Sequence, residues 1–284
     1  MNHDAFLPAV ASAKTLVEQV LKGEPWVLIQ VRQTQGSVPR EAGTWMAVSG
    51  QSVMGTIGGG QLEHQAISMA REGLQTGALK PSIRMNLGPS LGQCCGGVVE
   101  LAFERLRPEL VKPLPERLQE PRRPIALFGG GHVGRALVNA LSPLPYRIHW
   151  VDSRDEIFPA PLPEHVQAEH SDPVQASVWD LPAGSAVLIM SFSHAEDLDI
   201  VAECLKRRRS QHDVPFIGLI GSKTKWASFQ HRLRDKGFSQ QELDGVTCPI
   251  GLPGIEGKQP EVIAIAVAAQ LLSVHAPQAS PQTS

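Results

Sequence analysis

The 284-residue chain is long enough for one large domain or two ordinary ones, and 42% hydrophobic residues can fill a core of ordinary size. A formal net charge of −2 offers no basic field to nucleic acid, and 5% aromatic residues make no base-stacking platform. Four cysteines, two of them adjacent, do not make a disulfide framework, and no apolar run approaches a membrane span, so the expectation is a cytoplasmic protein in a reducing compartment.

The N-terminal stretch "MNHDAFLPAVASAKTLVEQVL" reads as an amphipathic helix over 4–22. It lacks the basic start and long apolar stretch of a secretory signal. "WVLIQVRQT" follows as a strand, then the loop "QGSVPREAGT", where Arg40 can meet a phosphate or carboxylate. "WMAVS" and "SVMGTI" are short strands. The glycines at 58–60 lead into a helix whose apolar residues Leu62, Ala66, Ile67, Met69, Ala70 and Leu74 mark a buried face. Backbone N–H groups of Gly59 and Gly60 at that helix start can cradle an anion. Glu63 in the first turn competes with that reading, because a carboxylate stabilises a helix start by itself. "SIRMNL" and "GVVELAFERL" form a strand pair, joined by a loop that carries Gln93, Cys94, Cys95 and Gly96.

Four readings of the cysteine pair stand side by side. A bridge between neighbours is strained, because normal disulfides need separated Cα atoms. Zinc asks for spaced ligands and a second pair, which the sequence lacks. Small thiols can simply fill a gap in a core. The bare glycines around the pair also suit close approach of a ligand, and thiolates favour copper(I), iron–sulfur or another sulfur-rich metal centre, or persulfide chemistry.

The segment 105–124 holds five prolines, many charges and no regular period, a linker signature. It divides the chain into an α+β domain over 1–106, a linker over 107–123, a doubly wound α/β domain over 124–275 and a disordered tail over 276–284. In the second half "PIALFGGGHVGRALVNAL" reads strand, glycine turn, helix. "YRIHWVD", "AVLIMSF" and "PFIGLIGS" are further strands with helices between them, the pattern of a covered parallel sheet. Gly129, Gly131 and Gly134 satisfy G-x-G-x-x-G, and Asp152 ends the next strand, where a carboxylate can accept from a ribose. That context predicts a Rossmann-like fold, with either a bound dinucleotide or a purely structural turn. Arg154, two residues on, can meet a phosphate or stay solvated. Ser222 and Lys223 open a later helix, with Lys225 in the same turn. Two cations at a helix start make sense if an anion sits there, or are simply exposed. "CPIGLPGIEGKQPE" leads from Cys248 into the last helix and either wraps a ligand or merely connects.

Taken together, "GSVPREAGTWMAV", "GTIGGGQLE", "LGQCCGGVVEL", "LFGGGHVGRALV", "WVDSRDEIFP", "GLIGSKTKWASF" and "CPIGLPGIEGKQPEVIAIAVAAQLL" resemble, in order and over about 26–272, the XdhC/CoxI family. These are accessory proteins of xanthine dehydrogenase and related molybdenum hydroxylases. The resemblance implies a chaperone without turnover of its own. Such a protein binds the molybdenum cofactor in its molybdopterin form, supports sulfuration by a cysteine desulfurase, and delivers the product to apo-xanthine dehydrogenase. It also implies a homodimer and places the cofactor's molybdenum on Cys94 and Cys95. The chain departs from the family at Phe192, where relatives commonly carry the first histidine of Thr-His-Ser-His; His194 and Asp197 match. The alternatives are an NAD(P)-binding oxidoreductase, motivated by the glycine fingerprint, and a sulfur- or nucleotide-transferring enzyme of cofactor maturation.

Overall fold

The computed structural model describes residues 5–6, 13–88, 96–118 and 122–274. Gln93, Cys94, Cys95 and the tail 276–284 lie outside the described residues. The chain divides into two compact units, Met1–Glu120 and Pro121–Ser284.

The first unit is built on a six-stranded sheet. Its strands are β1 (Ala5–Phe6), β2 (Val27–Gln35), β3 (Trp45–Val48), β4 (Ser52–Gly55), β5 (Ser82–Asn86) and β6 (Val98–Arg105), in the order β1-β4-β3-β2-β6-β5. All neighbours are antiparallel except β1 and β4. The helix expected over 4–22 is shorter: α1 spans Ala13–Leu21, and the backbone of Ala5–Phe6 pairs with Ser52–Val53.

Both faces of this sheet are apolar, so both need a cover. On one face Val27, Ile29 and Val31 meet Leu62, Ala66 and Ala70 of α2 (Gly60–Thr76). On the other, Trp26 and Leu28 meet Leu16 and Val20 of α1. Residues 107–118 of the segment read as a linker, 107–123, complete that second cover. They form a 3₁₀ turn at Pro108–Leu110 and α3 (Leu114–Arg117), and Val111 and Leu114 are wholly buried with Leu118 beside them. Pro108, Pro113 and Pro115 sit at starts of short helices, where a missing N–H costs nothing. Each buried aliphatic there stabilises the unit by roughly 1.5–3 kcal/mol, which a free linker would forgo.

The second unit is a parallel six-stranded sheet. Its strands are β7 (Arg123–Phe128), β8 (Tyr146–Asp152), β9 (Val166–His170), β10 (Ala186–Ile189), β11 (Phe216–Leu219) and β12 (Val246–Thr247). Their order is β12-β11-β10-β7-β8-β9, the doubly wound arrangement in which the chain reverses direction at β7 and β10. On one face α4 (His132–Leu141) and α8 (Pro260–Val274) pack over Leu127, Ile148 and Leu188. On the other α5 (His194–Gln211), α6 (Lys223–Asp235), α7 (Gln240–Asp244) and a 3₁₀ helix (Val174–Trp179) pack over Ala126, Val187 and Ile217. No described helix is long and apolar enough to cross a membrane.

Candidate functional site

One end of the first sheet gathers three loops. The β2–β3 loop lies on the glycine turn before α2: a side chain at Gly58 would press on Pro39 and on the Arg40 stem. Gly97 lies so close to the backbone of Gln35 and Ser37 that a Cβ there would collide with both carbonyls. Arg40, the 58–60 turn and Gly96–Gly97 therefore share one end of the fold. Arg40 is exposed and, among the described residues, has no ion-pair or hydrogen-bond partner.

The glycine turn is already served by its own helix. Oε2 of Glu63 accepts hydrogen bonds from Thr56 Oγ1 at 2.6 Å and from the N–H groups of Ile57 and Gly59, each at 3.1 Å. The Gly58 N–H donates to Thr56 Oγ1 at 3.1 Å. Gly59, with φ +74°, caps α2, and Gly60 follows at φ +65°. Of the two roles available from sequence, the structure gives Glu63 the role of resident anion.

At the carboxyl end of the second sheet the fingerprint glycines divide by role. Gly129 has φ +124°, and a Cβ there would collide with the Met190 carbonyl. A Cβ at Gly134 would collide with the Gly129 carbonyl, whose oxygen also accepts from Trp150 Nε1 at 2.9 Å. Those two glycines are demanded by strand–helix packing. Gly131 caps α4 at φ −70°, and nothing lies within 4 Å of where its Cβ would stand. The fold itself does not require glycine there, whereas backbone approach to a pyrophosphate does.

Asp152 stands at the end of β8 with its side chain 1% exposed. Oδ2 accepts from the Gly130 N–H at 2.5 Å and from Arg154 Nη2 at 2.8 Å. Oδ1 accepts from the Arg154 N–H at 2.8 Å and Nε at 2.9 Å. Burial pushes this carboxyl up, but the Arg154 and backbone hydrogen bonds outweigh it and hold the group below the usual carboxylate range. The Arg154 guanidinium also lies 4.6 Å from the centroid of the Phe192 ring, itself 64% exposed.

At the next strand end Ser222 caps α6, accepting from the Lys225 N–H at 3.1 Å. Lys223 points out as an exposed cation. Lys225 is committed inward: Nζ pairs with Asp197 Oδ2 at 2.6 Å and donates to the Ile220 carbonyl at 2.9 Å. Asp197 Oδ1 accepts from the N–H and hydroxyl of Ser191 at 2.9 and 2.7 Å. The pairing of Asp197 with Lys225 was invisible in sequence, since 28 positions separate them. Beside them burial pushes the Cys248 thiol up to about 11, against a smaller opposing pull from Lys225. Complete burial pushes Cys204 up to about 12. Neither is a thiolate at neutral pH. Among the described residues no group of three His, Cys, Asp or Glu is placed to hold a metal ion.

Comparison with known proteins identifies the two units. Residues 125–271 match the family described as the XdhC Rossmann domain, and residues 20–83 match the XdhC and CoxI family. The uncharacterized protein YqeB of Escherichia coli K12 is 26% identical over 258 residues. That match covers 88% of this chain but 43% of YqeB, so the chain spans less than half the length of this relative. A Bacillus halodurans crystal structure described as a xanthine dehydrogenase superposes with a TM-score of 0.72 at 20% identity, covering 95% of this chain and 98% of that one; this likeness is one of fold. With more than half its length matched by the XdhC Rossmann domain profile alone, the chain belongs to the XdhC family.

Proposed function

We propose that this chain serves xanthine dehydrogenase maturation as a carrier of the molybdenum cofactor. In this reading Cys94 and Cys95 hold molybdenum, with Gln93 and Gly96 shaping the loop. Thiolates are soft ligands suited to a metal already bound by a dithiolene. Arg40 meets the phosphate of the pterin, since in the glycine turn Glu63 already takes the N–H groups of Ile57 and Gly59 and Thr56 takes that of Gly58. The carrier then exposes the metal to a cysteine desulfurase for sulfuration and passes the cofactor to apo-xanthine dehydrogenase. The observation that carries the reading is the convergence of Arg40, unpartnered among the described residues, with Gly96 and Gly97, which tether the cysteine pair in sequence. The raised pKa of Cys204 and Cys248 adds to it, since thiolate chemistry at neutral pH is then left to the 94–95 pair.

Gel filtration of the protein mixed with molybdenum cofactor tests this. Wild type is expected to retain the cofactor, Cys94→Ala/Cys95→Ala to lose it, and Arg40→Ala to retain it more weakly. Equal retention by wild type and the double cysteine variant would defeat the proposal. A second reading adds a dinucleotide at the crevice of the parallel sheet. It is favoured by Gly131, which the fold leaves free to be any residue.

A further inference from the structure

The subsite at Asp152 is already filled. An ionised carboxylate offers about four lone-pair sites. Asp152 receives four donors: the N–H groups of Gly130 and Arg154, and Nε and Nη2 of Arg154. A ribose diol arriving at the end of β8 finds no free acceptor. The Gly130 N–H, part of the phosphate-facing turn, is spent on the same carboxylate. The neighbouring backbone is tied as well: Glu196 accepts from Ser153 Oγ at 2.7 Å and from the Phe192 N–H at 3.1 Å, joining the first turn of α5 to the end of β8.

Two of the four donors are exchangeable and two are not. The backbone N–H groups belong to the turn and remain whatever the side chains do. The guanidinium belongs to a side chain that is 33% exposed; it holds Asp152, lies against the Phe192 ring and is drawn electrostatically by the Glu196 carboxylate. Removing it frees two acceptor sites, the number a 2′,3′-diol uses. It also uncovers the Phe192 ring, which can stack a base.

We propose that Arg154 gates the nucleotide subsite of the second unit, standing in for a ribose diol on Asp152 until a nucleotide with free 2′ and 3′ hydroxyls displaces it. The inference rests on the reading that this unit accepts a dinucleotide. It further assigns the ligand class, an adenosine-diphosphate-ribose moiety, and the residue that decides its entry. Because binding requires the gate to open, the affinity of wild type is reduced by the fraction of molecules with Arg154 swung away.

Calorimetric titration of the full chain with ADP-ribose, and separately with NAD⁺, tests the gate. Arg154→Ala and Arg154→Gln are expected to bind at least about tenfold more tightly than wild type. Adding Asp152→Asn to Arg154→Ala should abolish the gain, and adding Phe192→Ala should reduce it. A gain of affinity cannot arise from misfolding, and the Gln variant serves if the Ala variant is unstable. Wild type and both Arg154 variants binding equally well would overturn the gate and leave the dinucleotide reading standing. No binding by any form would overturn both.

Discussion

Single residues carry opposite duties here although their sequence contexts look alike. The three fingerprint glycines form one motif, yet Gly134 is fixed by a carbonyl in the space a Cβ would take and Gly131 faces open space. Gly134→Ala is therefore expected to destabilise the second unit by about 1–3 kcal/mol through overpacking. Gly131→Ala should stay within about 0.5 kcal/mol of wild type, because φ −70° suits any residue. Urea unfolding of both variants separates the two roles, and a large loss for Gly131→Ala would show that the fold needs it after all. The cysteines divide in the same way. A thiol with pKa about 11, as for Cys248, is roughly one part in a thousand thiolate at pH 8. Iodoacetamide followed by peptide mass spectrometry should modify the 94–95 pair at pH 7.5 and spare Cys204 and Cys248. Labelling of Cys248 should rise steeply only toward pH 11. Its early modification at neutral pH would contradict its burial.

At the scale of elements, the strands with strong apolar patterning were legible and the covers were not. "WVLIQVRQT" and "AVLIMSF" announce β2 and β10 because β-branched and apolar runs have few other places to go. The stretch 166–170, Val-Gln-Ala-Glu-His, is half polar and shows its strand nature only in pairing with β8. Residues 107–118 misread as a linker for a similar reason. Proline and charge dominate the local pattern, while the force that orders the segment is the bare outer face of a sheet formed by residues far away in sequence. Leu114→Ala should then cost the first unit about 2–5 kcal/mol by chemical denaturation, the range for a buried leucine. A linker residue would cost almost nothing. The glycine turn before α2 gives the complementary case. Sequence left Glu63 and an outside anion as rivals, and only the three hydrogen bonds to Oε2 choose between them. Glu63→Ala strands those donors and should cost about 1–3 kcal/mol. Loss of cofactor retention without loss of stability in this variant would instead mark Glu63 as a ligand contact.

The molecule as a whole is two separately cored units, so its unfolding should resolve into two transitions rather than one. Their pH dependence distinguishes them, because among the described residues the groups clearly shifted by the fold lie in the second unit. His165 is pushed down, chiefly by burial and secondly by Arg122, and its Nε2 is buried without a hydrogen-bond partner among the described residues. Unfolded, the same ring takes a proton near 6.5. The unfolded state thus binds more protons below that pH, and stability falls as pH drops from about 6.5 toward the lower native value. Asp152 and Asp213 are held below the carboxylate range, Asp213 mainly by its hydrogen bond to Arg207, and Glu242 is lowered to about 2, mainly by Arg209. Their contribution is full above about 4.5 and is lost as pH falls through their native values. The second unit should therefore weaken in two stages, first below about 6.5 and again below about 4.5. Calorimetric scans at pH 7.5, 5.5 and 3.5 follow both stages, and Asp152→Asn and His165→Gln assign them. His165→Gln should flatten the first stage and leave the second. A wild-type transition temperature that holds constant from pH 7.5 to 5.5 would show that the His165 ring escapes its buried position before it titrates.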